Sequence, residues 1–135
     1  DKQIEKKQFI KYFHDLDVYK RLFSLSKVVI QKVIPKLPPE EKFDLVQQMR
    51  RASKASTAMI AEGFPKRFQA KHWDKYLVDA IGECEEMVNH LMYVRDLYSK
   101  NVKKESVELL IEQYKYAINQ LHSLNKSWKN FHKNK

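Results

Sequence analysis

Glycine, proline and cysteine are scarce in this sequence of 135 residues, and their scarcity limits both the fold and the chemistry. Two glycines cannot build a glycine-rich phosphate loop, and only four prolines favour long helices with few turns. The single cysteine, Cys84, cannot form an internal disulfide, which fits a reducing cytosol. No segment resembles a signal peptide, and the longest apolar runs are too short to span a bilayer. We therefore expect a cytoplasmic protein without a membrane partner.

Charge is abundant and mostly positive. The chain has 26 Lys and Arg against 17 Asp and Glu, a formal net charge of +9. A hydrophobic content of 43% and a charged content of 32% indicate a globular chain. The length predicts one domain over 1–135, with a polar extension at 1–12 and a basic tail at 132–135. So large a positive charge implies an anionic partner, with nucleic acid ahead of acidic protein surfaces and membranes. The alternative is that lysine only supplies solubility.

Apolar periodicity predicts four helices joined by three short connections. The helices should run from about 15 to 34, with Asp15 as N-cap, from 38 or 39 to 62, from 69 to 98, and from 104 to 131. Helix three carries a seam spaced by alternating fours and threes: Trp73, Leu77, Ala80, Cys84, Met87, Leu91, Val94 and Tyr98. Helix four repeats that spacing: Leu110, Tyr114, Ala117, Leu121, Leu124, Trp128 and Phe131. Such seams are typical of left-handed bundles, so we predict an all-α, antiparallel up-down-up-down four-helix bundle.

Two features suggest close contacts beyond an ordinary core. In helix one, Val18, Leu25 and Val28 lie off the main apolar stripe, which indicates either a face between subunits or a broad core. Gly82, inside helix three but off its seam, fits close approach by another helix or subunit. Helix two has a run of small side chains that would let a neighbouring helix come close: Ala52, Ser53, Ala55, Ser56, Thr57 and Ala58.

Four short motifs carry a family resemblance. In chain order they are F-H-D-L-D-V-Y at 13–19, Q-M-R-R-A at 48–52, I-A-E-G-F at 60–64, and W-D-K-Y-L at 73–77 followed by A-I-G and Glu86. This order resembles the four-helix bundle family of 23S rRNA intervening-sequence proteins, to which the accessory variability proteins of diversity-generating retroelements are related. The resemblance covers about residues 9 to 131. It implies the same fold, a homopentameric ring with a basic central channel, and a retroelement reverse transcriptase as partner.

Catalytic and metal-binding patterns are hard to find. A di-iron bundle needs Glu-x-x-His on two helices, and none of the five histidines has an acid three residues before it. Glu86 and His90 share a helix face, but no second such pair exists. Cys84 lies on the inner seam, where a buried thiol behaves as a small hydrophobe. We therefore expect no cofactor, no metal and no enzymatic activity.

A basic set on helix two, the following loop and helix three is the best candidate site. Its predicted phosphate-binding residues are Arg51, Lys54, Lys66, Arg67, Lys71 and Lys75. Aromatic residues near these cations, Phe64, Phe68, His72 and Trp73, complete a pattern typical of single-strand binding. Arg50 is assigned instead to a structural ion pair with Glu86. The acidic residues Glu83, Glu85 and Glu86 form either a solvated face or a subunit contact. The lysines at 126, 129, 133 and 135 read as a solvated tail.

The function predicted from these observations is a non-enzymatic, oligomeric bundle that binds RNA, or an RNA–DNA intermediate, through backbone phosphates. The alternative is a structural or adaptor module that binds an acidic protein and no nucleic acid.

Overall fold

In the computed structural model, which describes residues 10–134, four α-helices follow one another along the chain. They are α1 (Asp17–Val28), α2 (Leu45–Gly63), α3 (Ala70–Leu97) and α4 (Lys104–Lys133). Of the predicted N-terminal extension, residues 1–9 lie outside the described residues, as does Lys135 of the predicted tail.

The helices form a ring of neighbours: α1 contacts α2 and α4, α2 contacts α3, and α3 contacts α4. Side-chain contacts show that α2 and α3, and likewise α3 and α4, run in opposite directions. Arg51 of α2 meets Glu83 of α3, and Asp74 near the start of α3 meets Asn125 near the end of α4. The predicted antiparallel four-helix bundle is therefore confirmed, and no strand occurs between residues 10 and 134.

The two predicted seams form the core between α3 and α4. Every seam residue of α3 from Trp73 to Val94 is buried, and Tyr98 just beyond the helix is half-buried. On α4 the seam is buried from Leu110 to Trp128, and Phe131 is half-buried. Ile111, Ile118 and Asn125 widen the buried stripe of α4. The heptad spacing predicted this packing correctly.

Helix α1 differs from the prediction at both ends. Asp15 ends a short 3-10 turn, Phe13–Asp15, and the residue at the N-cap of α1 is Leu16, which makes no side-chain cap bond. The prediction of Asp15 as N-cap is thus wrong. At the other end the helix widens into a π-helical turn, Val29–Val33, and then tightens into a 3-10 turn, Ile34–Lys36. Pro35, which has no N–H to donate, stands in that last turn.

The off-stripe residues of α1 are explained largely by the chain itself. Val18 and Leu25 are buried in the core, whereas Val28 is 40% exposed. A broad core therefore accounts for two of the three residues, and only Val28 remains available to another surface.

Helix α2 begins at Leu45, six or seven residues later than its predicted start at Pro38 or Pro39. The prolines instead start a separate 3-10 turn, Pro39–Glu41. The Glu41 carboxylate then accepts hydrogen bonds from the Leu45 backbone N–H, at 3.3 Å, and from the Tyr98 hydroxyl. Glu41 thereby fixes the start of α2 against the end of α3, and its carboxylate raises the pKa of Tyr98 to about 12.

Three small side chains of α2 face inward, as the helical phase predicts, and the other three are only partly buried. Ala52, Ser53 and Ser56 are fully buried. The Ser53 hydroxyl donates to the Arg50 carbonyl, and the Ser56 hydroxyl donates to the Ser53 carbonyl. Because these hydroxyls are satisfied within their own helix, α2 can bury polar residues without a partner from another helix.

Helices α2 and α3 approach each other closely at Gly63, the last residue of α2. A Cβ atom placed there would lie 2.5 Å from Tyr76 Cβ and 3.0 Å from Trp73 Cε3. Real Cβ atoms do not come that near, so only glycine permits this contact. Gly82 is the opposite case, because a Cβ there would meet nothing within 4 Å. No helix between residues 10 and 134 approaches Gly82, and an approach by another subunit stays a prediction.

Replacing each glycine with alanine should separate these two situations. Gly63→Ala should lower the free energy of unfolding by about 1–3 kcal/mol, because the added methyl forces α2 and α3 apart. Gly82→Ala should raise it by about 0.5–1 kcal/mol, because glycine is a poor residue in a helix interior. Denaturant unfolding of both variants is the measurement. Equal shifts of the same sign would contradict the close approach at Gly63, and a Gly82→Ala variant that is less stable would point to a subunit covering that surface.

Truncation at the centre of the core should be costly. Leu91 is fully buried, together with Cys84, Met87, Leu121 and Leu124. Leu91→Ala should lower the free energy of unfolding by about 2–5 kcal/mol through lost burial and the cavity left behind. Leu97, 63% exposed on the same helix, provides the control, and Leu97→Ala should change stability by less than about 0.5 kcal/mol. A loss below about 1 kcal/mol at Leu91 would remove it from the core.

Candidate nucleic-acid interface

Arg51 bridges α2 and α3 through two glutamates. Its Nη1 lies 3.0 Å from Glu83 Oε2 and its Nη2 lies 2.6 Å from Glu86 Oε2. The hydrogen bond from Arg51 lowers the pKa of Glu86, and the bonds to Glu86 and Glu83 raise the pKa of Arg51. His90, buried on the same face of α3, contacts the other oxygen of Glu86 at 3.2 Å. We interpreted the acidic residues of α3 as a solvated face or a subunit contact. Two of them, Glu83 and Glu86, instead form ion pairs with Arg51 of the same chain.

The predicted ion pair between Arg50 and Glu86 is wrong, because Arg51 occupies that position. Consecutive residues of an α-helix point about 100° apart. Helix α3 packs on the flank of α2 that carries Arg51, so Arg50, on a different flank, is exposed. The sequence showed that one arginine of the pair should meet Glu86, but only the packing of α3 decides which one.

Arg67, in the connection from α2 to α3, folds back onto the protein. Its guanidinium carbon lies 4.0 Å from the Phe64 ring centroid and 4.8 Å from that of Phe68. Nη1 donates to the Phe64 carbonyl at 3.0 Å, and burial lowers the pKa of Arg67. Nε is buried without a hydrogen-bond partner among the described residues. Arg67 therefore carries an uncompensated charge held between two rings.

The aromatic residues of this connection are mostly structural. Phe64 and Trp73 are buried at 4% and 1% exposure, so the prediction that they would stack on bases is wrong. Phe68 is half exposed, yet its ring packs edge-on against Trp128 and Phe131. These rings close the end of the bundle rather than forming a stacking platform.

The four predicted lysines fall into two groups. Lys66 contacts the Tyr76 hydroxyl at 3.4 Å, and Lys75 forms an ion pair with Asp79 at 3.1 Å. Lys54 and Lys71 are exposed, and neither has an ion-pair partner within residues 10–134. Lys54 and Lys71 are thus the predicted residues whose charge the fold leaves most accessible to a phosphate.

The C-terminal part of α4 adds basic residues that we interpreted as a solvated tail. The helix continues to Lys133. It is fixed by Lys129, which pairs with Asp74 at 3.2 Å, and by His132, whose Nε2 donates to the Arg67 carbonyl at 3.0 Å. The Asp74 carboxylate also accepts a hydrogen bond from the Asn125 side chain. This hydrogen bond, and to a lesser extent the interaction with Lys129, lowers the pKa of Asp74.

These contacts bring α4 to the same end of the bundle as the α2–α3 connection. We call this region the basic end, and it comprises Lys66, Arg67, Lys71, Lys75, Lys126, Lys129 and Lys133. Antiparallel topology and the seam reaching Phe131 were the signals that could have predicted it, since they place the end of α4 beside the start of α3.

Comparison with known families gives a match over most of the chain. The sequence model of the 23S rRNA-intervening sequence protein family matches residues 14–123. The chain belongs to this family. No curated protein and no solved structure matches the chain.

The described part of the chain also bears on metal binding, thiol reactivity and membrane insertion. Within residues 10–134, no three His, Cys, Asp or Glu side chains are grouped so that they could hold a metal ion. Cys84 is fully buried, as predicted, and burial is the main cause that raises its pKa to about 12. No helix in the described part of the chain is long and apolar enough to cross a membrane.

The Arg51 bridge should make a modest, pH-dependent contribution to stability. Arg51→Gln should lower the free energy of unfolding by about 0.5–1 kcal/mol at neutral pH, since the Arg51 side chain is 54% exposed and solvent screens the pair. Because folding lowers the pKa of Glu86, this contribution is complete above the ordinary carboxyl pKa and is lost as pH falls through the folded-state value.

Denaturant unfolding from pH 7 to about pH 3 checks this prediction. The difference between the wild type and Arg51→Gln should shrink on acidification, whereas Arg50→Gln should differ little from wild type at every pH. A difference that stays constant below about pH 4 would show that Arg51 acts through packing instead.

Proposed function

We propose that this protein is a non-enzymatic, oligomeric RNA-binding bundle that contacts backbone phosphates through its basic end and Lys54. The observation that carries the proposal is the charge of that end. Residues 62–79 and 122–134 hold seven lysine or arginine side chains against three carboxylates. Two of the carboxylates, Asp74 and Asp79, are already paired with lysines. An anionic strand would therefore meet little opposing charge there.

Membership in the rRNA-intervening sequence protein family supports RNA as the ligand class. The contacts proposed are to phosphates and not to base edges, because the rings of the α2–α3 connection are used to close the bundle end. Binding of this kind is largely independent of sequence and weakens steeply with salt as counterions are released. Lys54 and Lys71 are the main contacts. Lys66 and Lys75 contribute if a phosphate replaces their present partners.

Assembly into a ring, of five copies by family resemblance, would repeat the basic end around an axis. Many weak phosphate contacts would then add to a useful avidity. Exposed apolar side chains outside the basic end support contacts between subunits. Among them are Val28 on α1, Met92 and Tyr93 on α3, and Leu109 on α4. The same resemblance supports an accessory role beside a retroelement reverse transcriptase.

A second candidate function is an adaptor for an acidic protein. A cavity of about 430 Å³ lies between the end of α1 and the start of α4. Its walls include the exposed Val28 and Leu109, and Lys32, Lys36 and Lys103 also line it. An amphipathic segment with acidic side chains would match this combination of apolar walls and lysines.

RNA binding at several salt concentrations tests the proposal. We expect Lys54→Gln/Lys71→Gln to bind a single-stranded RNA more weakly than wild type. The log–log salt slope should be less steep by about 0.7 for each lost phosphate contact. Lys42→Gln/Lys100→Gln removes the same charge from the opposite end of the bundle and provides the control. Equal affinities for the two double variants would exclude Lys54 and Lys71. Absence of binding by wild type at low salt would favour the adaptor function.

Sedimentation equilibrium tests the assembly. We expect a single oligomer at micromolar concentration, with the mass of five chains. Its mass should not change with salt over the range used for RNA binding, because the exposed surfaces proposed for assembly are apolar. A monomer throughout the range would contradict the ring and the avidity argument that depends on it.

A further inference from the structure

Arg21 of α1 is held in place by neutral groups of α4. Its Nε donates to Gln120 Oε1 at 3.1 Å, and its Nη1 donates to Gln113 Oε1. The guanidinium carbon lies 4.2 Å from the centroid of the Tyr116 ring. Residues 113, 116 and 120 share one face of α4, so a single helix face supplies all three contacts. The arginine is therefore oriented before any ligand arrives.

The neutral partners leave the charge of Arg21 uncompensated. Within residues 10–134, no carboxylate forms an ion pair with Arg21, whereas Arg51 in the same bundle is paired with two glutamates. A guanidinium has five N–H donors. Two are used by the glutamines, so three remain, and all three are on Nη1 and Nη2. Donors arranged in this way fit the oxygens of a phosphate better than they fit any single acceptor.

Open space adjoins these donors. A cavity of about 540 Å³ is lined by Arg21, Lys20 and Ser24, which adds an ammonium and a hydroxyl beside the guanidinium. A second cavity, of about 380 Å³, is lined by Asn119, Ser123 and the apolar Leu16 and Val18. The two cavities share Asp17, Tyr116 and Gln120, so they are adjacent. One is suited to an anion, and the other is suited to a flat, partly polar group.

We propose that this α1–α4 groove binds a phosphorylated nucleotide unit. The phosphate lies on Arg21 and Lys20, and the base lies against Tyr116 in the second cavity, within reach of the Asn119 amide. Asp17 lines both cavities and its carboxylate opposes a phosphate in either, but Lys20 and Arg21 line only the first, which fixes the direction of the nucleotide. The groove shares α4 with the basic end, but no lysine of the basic end, nor Arg67, lines either cavity, so substitutions can separate the two sites.

The sharpest variant is Gln113→Glu. It leaves Arg21 in place and gives it a carboxylate partner, so it should stabilise the fold or leave it unchanged while removing the free charge. Lys27→Gln makes the same change in net charge on α1 outside both cavities and provides the control. Asp17→Asn removes the repelling carboxylate and should bind the nucleotide more tightly than wild type.

Equilibrium dialysis of the full chain with labelled uridine monophosphate, uridine, inorganic phosphate and a short oligouridine strand measures the binding. We expect Gln113→Glu to weaken uridine monophosphate at least tenfold and Lys27→Gln to change it less than twofold. Uridine and inorganic phosphate should each bind more weakly than the nucleotide. If only the strand loses affinity in Gln113→Glu, the natural ligand is a nucleotide within a strand. If the mononucleotide loses affinity as well, a free nucleotide suffices.

Several outcomes would overturn the proposal. Unchanged binding of both uridine monophosphate and the strand in Gln113→Glu would exclude Arg21 as the phosphate ligand. Uridine binding as tightly as its monophosphate would lead to the same conclusion. If Gln113→Glu fails to fold, Asp17→Asn provides the test. An affinity of Asp17→Asn for uridine monophosphate equal to that of wild type would then refute the site. Loss of nucleotide binding in Lys54→Gln/Lys71→Gln would place the nucleotide at the basic end instead.

Discussion

The contact between α2 and α3 at Gly63 is the constraint on which the rest of this bundle depends. With no side chain at position 63, Tyr76 and Trp73 can lie directly against the backbone of α2. The buried small residues of α2, Ala52, Ser53 and Ser56, continue the close packing along the helix. Farther along the same two helices, Arg51 reaches both Glu83 and Glu86, and Trp73 beside Gly63 is buried. The Arg51 ion pairs thus join the same two helices that the Gly63 contact holds together.

The parts of the fold that repeat along the chain were predictable. On α3 and α4, the alternation of fours and threes reports a buried face directly, because each seam residue occupies the same side of its helix. The start of α2 was not predictable in this way. Proline at 38 and 39 is compatible with either a helix start or a separate 3-10 turn. The choice depends on Glu41, whose carboxylate binds Leu45 and Tyr98, and Tyr98 lies 57 residues away in the chain.

The candidate site was predictable as a location and not as a set of free charges. Sequence positions place cations near the α2–α3 connection, but they do not reveal which cations the fold already uses. Arg51 and Arg67 are both engaged, one by glutamates of α3 and the other by the rings of Phe64 and Phe68. On α4 the lysines interpreted as a solvated tail are exposed, and the helix that carries them continues to Lys133. Arg21 gave no sequence signal at all, because glutamine partners look unremarkable until the helices are brought together.

The burial of Cys84 makes the core observable by chemistry. The thiolate is the form of cysteine that attacks thiol reagents, and a pKa of about 12 leaves almost none of it at neutral pH. Labelling of the folded chain would then proceed only when α3 and α4 separate far enough to admit the reagent. Since the chain has one cysteine, the labelling rate would report the opening of that single seam without interference from other sites. The protein thus contains its own reporter of local unfolding, in its natural sequence and without an engineered label.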